Sequence, residues 1–290
     1  MDEVTKRKAM KTLEEMNLID DFLFRAIMAD DVNGLAACRI ILSCVLKKKV
    51  GNITFIGQRD VPGVTEESHG IRVDAYVSEK NENGENINVY DIEPDKNASK
   101  KSQLPKRCRY YSDIIDAQLL DTGTEYDKLP ELVSIFILSY DPFGENAMYY
   151  EAGTVLKTHP HVSYDDGVRR IFLYAEGDLP EGSGDAEQSL KSLLKYINRS
   201  TAENVVDENT RRLDDIVRGT KAKKDIGAWY MKSWEREKEI REEGRAEERA
   251  NTEIERRRAD EAERELAKER EHAAALERRL AELEAVNAAD

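Results

Sequence analysis

The sequence predicts an α/β fold: a mixed sheet followed by C-terminal helices and a long charged helical tail. Residues 70–77 and 88–96 are two β-prone runs around a polar turn, which is typical of a β-hairpin. Residues 132–138 (LVSIFIL) form a continuous apolar run, as in a strand buried on both faces. From about residue 226, Glu and Arg dominate without any proline, which indicates one long helix of roughly 90–100 Å.

The turn predicts the register of the hairpin. If the turn centres on Asn83-Gly84, Asp74 faces Glu93 and Tyr76 faces Asp91. One face of the hairpin is then apolar and directed to the core; it comprises Ile71, Val73, Ala75, Val77, Tyr90 and Ile92. The other face collects charged side chains, namely Arg72, Asp74, Asp91, Glu93 and Asp95.

The crowded acids on the second face indicate a cation site. Like charges placed opposite each other destabilise a sheet, and neighbouring carboxylates raise each other's pKa. A bound cation would neutralise them. Carboxylate oxygens, with neither Cys nor His among them, favour Mg²⁺, Mn²⁺ or Ca²⁺ over Zn²⁺. A solvent-facing strand surface with scattered acids is the alternative interpretation.

A basic segment follows the second strand of the hairpin directly. Its cations are Lys96, Lys100, Lys101, Lys106, Arg107 and Arg109. Pro105 suits the first turn of a helix and Gly123 suits its end. A buried stripe is expected on this helix at Cys108, Tyr111, Ile115 and Leu119. Cations near a helix N-terminus attract phosphate, so acids and cations together suit phosphodiester hydrolysis. An ordinary solvated helix start is the alternative for the basic run alone.

The remaining runs predict how the body is completed. Residues 5–30 and 36–48 have helical periodicity, and Asp20 or Asp21 is expected to cap the second piece of the first run. Asn52–Ile56 is expected to open the sheet, which gives an αβββαβ core together with the hairpin, the basic helix and the buried strand. Two marginal strands and two helices are expected near 149–151, 170–174, 190–197 and 213–217.

Charge limits the classes of function. The chain has 290 residues and a formal charge of −14, of which residues 235–290, with 19 acids and 13 bases, carry −6. Because the body is also acidic, any contact with DNA is expected to be local, at the basic segment. We predict three parts: a core at 1–180, a helical extension packed on it at 181–234, and the charged tail at 235–290.

Other patterns concern assembly and compartment. The end of the tail has a heptad seam compatible with a homodimer through the C-terminal helix; a solvated single helix is the alternative. The seam residues are Leu266, Ala273, Leu276, Leu280, Leu283 and Asn287. There is no apolar run of membrane-spanning length and no signal-peptide pattern, so no membrane partner is expected. Cys38, Cys44 and Cys108 lack zinc-site spacing and predict buried reduced thiols in a cytoplasmic protein.

The ordered motifs resemble a known family. Asp74, IEPDK at 92–96 and the basic helix LPKRCRYY at 104–111 look like the PD-(D/E)XK nuclease superfamily, which has a restriction-endonuclease-like fold. More closely, the chain resembles PD-(D/E)XK family transposases, also called recombination-promoting nuclease (Rpn)-like proteins. The resemblance covers roughly residues 12–240. It extends to NLIDDFLFRAIM (17–28), DAQLLDTGTEYDKL (116–129) and IFILSYDPFG (135–144).

The resemblance implies which residues form the site. The first and second acids of the superfamily pattern fall on Asp74 and Glu93, which are expected to bind Mg²⁺ (or Mn²⁺), with Asp91 as a further ligand. The third position is Lys or Gln in this family, whereas Asp95 stands there in this chain and is a further candidate catalytic residue. Positive charge at the phosphate is expected from Lys96 or Lys100. Nucleic-acid contacts are expected from Lys101, Lys106, Arg107, Arg109, Tyr110 and Gln118.

Three functions follow as hypotheses. The first is a metal-dependent endonuclease that hydrolyses DNA, with the association with transposition or recombination that the resemblance implies. The second is a catalytically impaired member that binds nucleic acid or a protein on the same fold; the acidic body and Asp95 favour it. The third is a scaffold that assembles through its helical tail.

Overall fold

The computed structural model describes residues 3–57, 59–61, 70–120 and 123–287. It confirms a mixed α/β fold with a six-stranded mixed sheet and a long C-terminal helix. The chain divides into two compact units, Met1–Tyr230 and Met231–Asp290. The first unit contains all strands of the described residues, and the second consists of helix.

In the described residues, the helices are α1 (Glu3–Glu15), α2 (Asp21–Met28), α3 (Asp31–Val45), α4 (Leu104–Asp116), α5 (Asp185–Asn198), α6 (Glu208–Lys221) and α7 (Lys224–Asn287). The strands are β1 (Asn52–Ile56), β2 (Arg59–Val61), β3 (Ile71–Val73), β4 (Ala75–Lys80), β5 (Asn86–Asp95), β6 (Glu131–Leu138), β7 (Tyr149–Ala152) and β8 (Val168–Tyr174). Short 3-10 turns occur at Ala98–Gln103, Tyr126–Lys128 and Ala202–Asn204.

The main sheet has the strand order β1-β4-β5-β6-β8-β7. The three strands β5, β6 and β8 pair in parallel, and the other neighbours pair antiparallel. A parallel pair needs a crossover, and α4 supplies the crossover between β5 and β6. Strands β2 and β3 form a separate two-stranded sheet.

Helices cover both faces of the main sheet. The core on one face joins α2, α3, α5 and α6 to the inward side chains of β4, β5, β6 and β8. On the other face, α4 packs over the sheet through Leu104, Cys108, Ile114 and Ile115. All of Leu132–Leu138 is buried, so the prediction of a strand buried on both faces is confirmed.

The N-terminal helices differ from the predicted ones in their bounds. Residues 5–30 form two helices, with Asp20 at the N-cap position of the second as predicted. The Asp20 side chain makes no capping hydrogen bond and instead accepts the backbone N–H of Asn17 at 2.7 Å, which closes the turn between the helices. Helix α3 begins at Asp31, before the predicted residue 36. Its N-cap is Asp30, which accepts the N–H groups of Val32 and Asn33 at 3.1 and 3.0 Å.

The hairpin has the predicted register over most of its length. Tyr76 pairs with Asp91, and the ladder continues from Ala75–Ile92 to Glu79–Asn88, beyond which it shifts at Lys80. The run 70–77 is not one strand, because a bend at Asp74 separates β3 from β4. The prediction that Ile71 and Val73 share the face of Ala75 is therefore wrong. Both side chains pack with Tyr76 beneath α4.

The C-terminal part of the body and the tail are helical, as predicted. Helices α5 and α6 bury their apolar stripes in the same core as the sheet; the boundary at 180/181 stays a prediction. The long helix α7 has 64 residues, with i,i+4 ion pairs such as Arg257–Glu253 at 2.6 Å. Most side chains of the heptad seam lie outside the described ones, and the homodimer stays a prediction.

Two isolated sequence predictions concern cysteines and membranes. Cys38, Cys44 and Cys108 are free and buried, as predicted. Within the described residues, none of the helices combines the length and the apolar character needed to cross a membrane.

Two glycines are expected to respond oppositely to alanine substitution. A Cβ on Gly177 would lie 2.5 Å from the carbonyl oxygen of Ala147, so we expect Gly177→Ala to cost about 2 kcal/mol of unfolding free energy. Gly219, in α6, has open space around its Cβ position, so Gly219→Ala is expected to stabilise by about 0.5–1 kcal/mol. Urea unfolding measures both. Equal effects of the two substitutions would contradict this packing.

Candidate metal and phosphate site

Three acids lie together beneath α4, and we call Asp74, Asp91 and Glu93 the acid cluster. Asp91 and Glu93 alternate with Ile92 on β5 and therefore share the α4 side of the sheet. Asp74 lies at the bend before β4, and its backbone N–H donates to Glu93 Oε1 at 2.9 Å. The predicted proximity of Asp74 and Glu93 is thus present, through a backbone-to-side-chain hydrogen bond rather than a ladder pair.

Asp91 is the most unusual member of the cluster. Asp91 is fully buried, yet neither of its carboxylate oxygens has a hydrogen-bond donor among the described residues. The hydroxyl of Ser134, its neighbour across the ladder on β6, likewise lacks one. Buried polar groups are nearly always satisfied, so these oxygens have acceptor capacity that a ligand could use.

A second buried acid on the same hairpin shows the contrast. Glu79 lies on the opposite face of the sheet and accepts from Tyr90 Oη at 2.6 Å, Asn88 Nδ2 at 2.8 Å and the Gly51 N–H at 3.0 Å. Burial acts to raise the pKa of Glu79, but these hydrogen bonds bring it below its ordinary value. A buried carboxylate in this sheet can therefore be fully satisfied, and Asp91 is not.

The acid cluster resists ionisation. Burial raises the pKa of Asp91 to about 7, and the negative charge of Asp74 contributes. Burial, together with the charges of Asp91 and Asp74, raises the pKa of Glu93 well above its ordinary value. Burial also raises the pKa of Asp74, against the opposing influence of nearby arginines. The carboxyls of Asp91 and Glu93 are close enough to share a hydrogen bond when one is protonated.

Asp95, on the same side of β5, is by contrast well satisfied. Its carboxylate accepts from Arg107 Nη2 at 2.5 Å, from Tyr140 Oη at 3.1 Å and from the Asn97 N–H at 2.6 Å. The Arg107 guanidinium lies 5.5 Å from the centre of the Phe136 ring. Asp95 therefore anchors an arginine of α4 next to the acid cluster.

The two lysines expected at the phosphate lie outside the cluster. Lys96 Nζ donates to Asp20 at 2.6 Å, at the start of α2, because alternation along the chain directs it away from the side of Asp95. Lys100 is exposed on the 3-10 turn that leads into α4. The structure therefore does not bring either lysine to the acids.

Of the residues expected to contact nucleic acid, Arg107 lies close enough to the acid cluster to interact with its charges. Its positive charge acts to lower the pKa of Asp74, and the negative charge of Glu93 acts to raise the pKa of Arg107. The others lie exposed on the outer side of α4 or on the turns before and after it; they are Lys101, Lys106, Arg109, Tyr110 and Gln118.

Two residues near the cluster were missed by sequence reasoning. Arg25 of α2, which forms an ion pair with Asp21, also exerts a favourable charge interaction on Asp74. Burial and the nearby charge of Glu93 raise the pKa of Tyr111, on α4, to about 12. The stripe that contains Tyr111 predicted its burial, but no sequence signal indicated that Arg25 approaches a residue in the hairpin.

The cluster fits a hard divalent cation in chemistry. Its ligands would all be carboxylate oxygens, and the two oxygens of Asp91 are without partners. Within the described residues, however, no group of three His, Cys, Asp or Glu side chains is positioned to hold a metal ion. Binding would therefore require the carboxylates to reorient.

No family model, curated protein or solved structure matches the chain. The acid cluster and the Asp95–Arg107 pair are the features of the molecule that bear on its function.

Proposed function

We propose that this protein hydrolyses phosphodiester bonds of DNA with the help of Mg²⁺ or Mn²⁺, as a restriction-endonuclease-like nuclease of the PD-(D/E)XK superfamily. The observation that carries the proposal is the buried, unpartnered carboxylate of Asp91 beside Asp74 and Glu93. Three acids in one buried place, only partly compensated by nearby arginines and by the Asp74 N–H, are costly, and a divalent cation would remove much of that cost.

The fold supports this proposal. The elements α3, β1, β4, β5, α4 and β6 follow one another as helix, three strands, helix and strand, apart from the small β2–β3 insertion. Asp74 lies at the bend that leads into the second of these strands, and Asp91 and Glu93 lie on the third, under the helix that carries the basic segment.

Each residue has a proposed role. Asp74, Asp91 and Glu93 would hold the cation, which when bound would polarise a phosphoryl oxygen and lower the pKa of a water molecule. The exposed cations before and on α4, including Lys100, Lys101 and Lys106, would hold the DNA backbone. Contact with DNA is confined to this side because the body as a whole is acidic.

One observation favours the alternative, a catalytically impaired member that binds nucleic acid or a protein. Asp95 is fully engaged with Arg107 and Tyr140, and Lys96 is engaged with Asp20. In this arrangement neither Asp95 nor Lys96, the residues at and next to the third motif position, is available to contact a phosphate. In this alternative the acid cluster binds a cation without hydrolysis.

Nicking of supercoiled plasmid in Mg²⁺ or Mn²⁺ tests the proposal. We expect Asp74→Asn and Glu93→Gln each to lower the nicking rate at least about 100-fold, because each removes a ligand charge from the cation. Asp116→Asn is the matched control. Burial raises the pKa of this half-buried acid to about 6, but its charged neighbours are Asp113, Arg170 and Asp166, outside the cluster.

The outcomes separate the two functions. Nicking by the wild type and by Asp116→Asn, but not by the cluster variants, supports the nuclease. Equal nicking in all four proteins, or none in the wild type, contradicts hydrolysis at this site; in the second case cation-dependent binding of DNA would identify the alternative function.

A further inference from the structure

Arg107 occupies a distinctive position in the site. It lies one turn into α4, and its side chain passes over the Phe136 ring to reach Asp95 on β5. About a third of the side chain (32%) remains exposed, whereas Asp95 is only 9% exposed. Asp95 thus holds the guanidinium in place, while part of the Arg107 side chain is open to solvent.

The hydrogen bonds of Arg107 are incomplete. Nη2 donates to Asp95, but Nε is buried and has no partner among the described residues. A guanidinium has five donors arranged in a rigid fork that matches the oxygens of a phosphate. The guanidinium therefore has a fixed orientation but an unused hydrogen-bond donor, as expected of an arginine that binds a ligand with several acceptor oxygens.

Asp95 accounts for this orientation. Besides Arg107, it accepts from Tyr140 Oη and from the Asn97 N–H, so its own carboxylate is held by groups on three different segments. A long arginine side chain loses much conformational entropy on binding unless its position is already fixed. Asp95 removes that cost by fixing Arg107 beforehand.

We infer that Arg107, positioned by Asp95, is the phosphate-binding residue of this site. The pair would supply from α4 the positive charge that a lysine at position 95 would otherwise supply. The inference deepens the proposed function and rests on it for the identity of the ligand, a phosphodiester of DNA next to the acid cluster. Arg107 donates to a phosphate oxygen while Asp95 keeps the guanidinium above Phe136.

A purely structural ion pair between Asp95 and Arg107 is the competing explanation. The two explanations differ in the sign of one effect. Removing the negative charge of Asp95 should strengthen binding of a polyanion if only net charge matters. It should weaken binding if Asp95 holds Arg107 in place. Asp95→Asn therefore discriminates between them without removing any cation from the protein.

The test uses the full chain and a short fluorescently labelled DNA duplex in Ca²⁺, with dissociation constants from fluorescence anisotropy. We expect Asp95→Asn to weaken binding about fivefold and Arg107→Gln to weaken it about 10–30-fold. Lys195→Gln is the matched control, since it removes the same charge from an exposed position of α5, which packs on the face of the sheet opposite α4. It should weaken binding less than about threefold.

Circular dichroism melts establish that each variant is folded, and Arg107→Lys, which keeps the charge but not the fork, replaces Arg107→Gln if the latter unfolds. Tighter binding by Asp95→Asn, equal losses in the Arg107 variant and Lys195→Gln, or no DNA binding by the wild type would each overturn the inference. The expected binding pattern without plasmid nicking would leave the phosphate site in place and refute only hydrolysis.

Discussion

Replacing Asp91 with Asn is expected to stabilise the protein by about 3 kcal/mol at pH 8 when divalent cations are absent. The wild-type side chain is fully buried, and when it and Glu93 are both ionised its oxygens have no hydrogen-bond donor among the described residues; burial raises its pKa to about 7 from an ordinary value of 3.8. Above pH 7 the folded protein bears the whole cost of ionising it. Asn has nearly the same shape and no charge.

The effect has a defined pH dependence. A raised folded-state pKa means that the folded protein holds the proton more tightly, so the cost of Asp91 is absent below pH about 4 and grows as pH rises to about 7. The gain from Asp91→Asn should therefore be largest at pH 8 and small at pH 4. Urea unfolding in EDTA at several pH values measures it.

Glu79→Gln is the control for Asp91→Asn. Hydrogen bonds from Tyr90, Gly51 and Asn88 lower the pKa of Glu79 despite its burial. The charge of Glu79 therefore stabilises the folded state at pH values above the pKa of the unfolded state. We expect Glu79→Gln to destabilise by about 1–2 kcal/mol at pH 8. Destabilisation by both substitutions at pH 8 would mean that Asp91 has partners that the described geometry lacks.

The second large expected effect is stabilisation by Mn²⁺. At a concentration about 100 times its dissociation constant, a cation that binds only the folded state adds about 2.7 kcal/mol to the unfolding free energy. We expect this gain in the wild type and in Asp116→Asn, and we expect Asp91→Asn and Glu93→Gln to abolish it. Thermal melts with and without Mn²⁺ provide the measurement.

Mn²⁺ should reduce the difference in stability between the wild type and Asp91→Asn. Without cation, Asp91→Asn is the more stable protein; with Mn²⁺, the wild type should recover most of the difference. A Mn²⁺-dependent shift of equal size in the wild type and in both cluster variants would place the cation elsewhere in the chain and refute the acid cluster as its site.

The sequence predicted those elements whose pattern depends on burial. The run at 132–138 is a strand inside the sheet, and the hairpin has the predicted pairing of Tyr76 with Asp91. The bend at Asp74 was not predictable from the alternation, because β3 leaves the main sheet to pair with β2, and the alternation along residues 70–77 does not indicate that partner. This bend moved Ile71 and Val73 to the other face.

The candidate site was predicted to a similar extent. Period-two alternation placed Asp91, Glu93 and Asp95 on one side of β5, as observed. The Asp95–Arg107 pair was not predicted, because the position of α4 over the sheet depends on tertiary packing at Leu104 and Cys108. Arg25 approaches Asp74 for the same kind of reason.

The crossover of α4 between two parallel strands has a kinetic consequence. The β4–β5 hairpin is local in sequence and can form early, whereas parallel pairing of β5 with β6 must first close a long loop. Until α4 docks, water solvates the carboxylates of β5. Dehydration of Asp91 therefore requires the docking of α4. Its energetic cost slows folding if α4 docks before the rate-limiting barrier, and speeds unfolding if α4 docks after it.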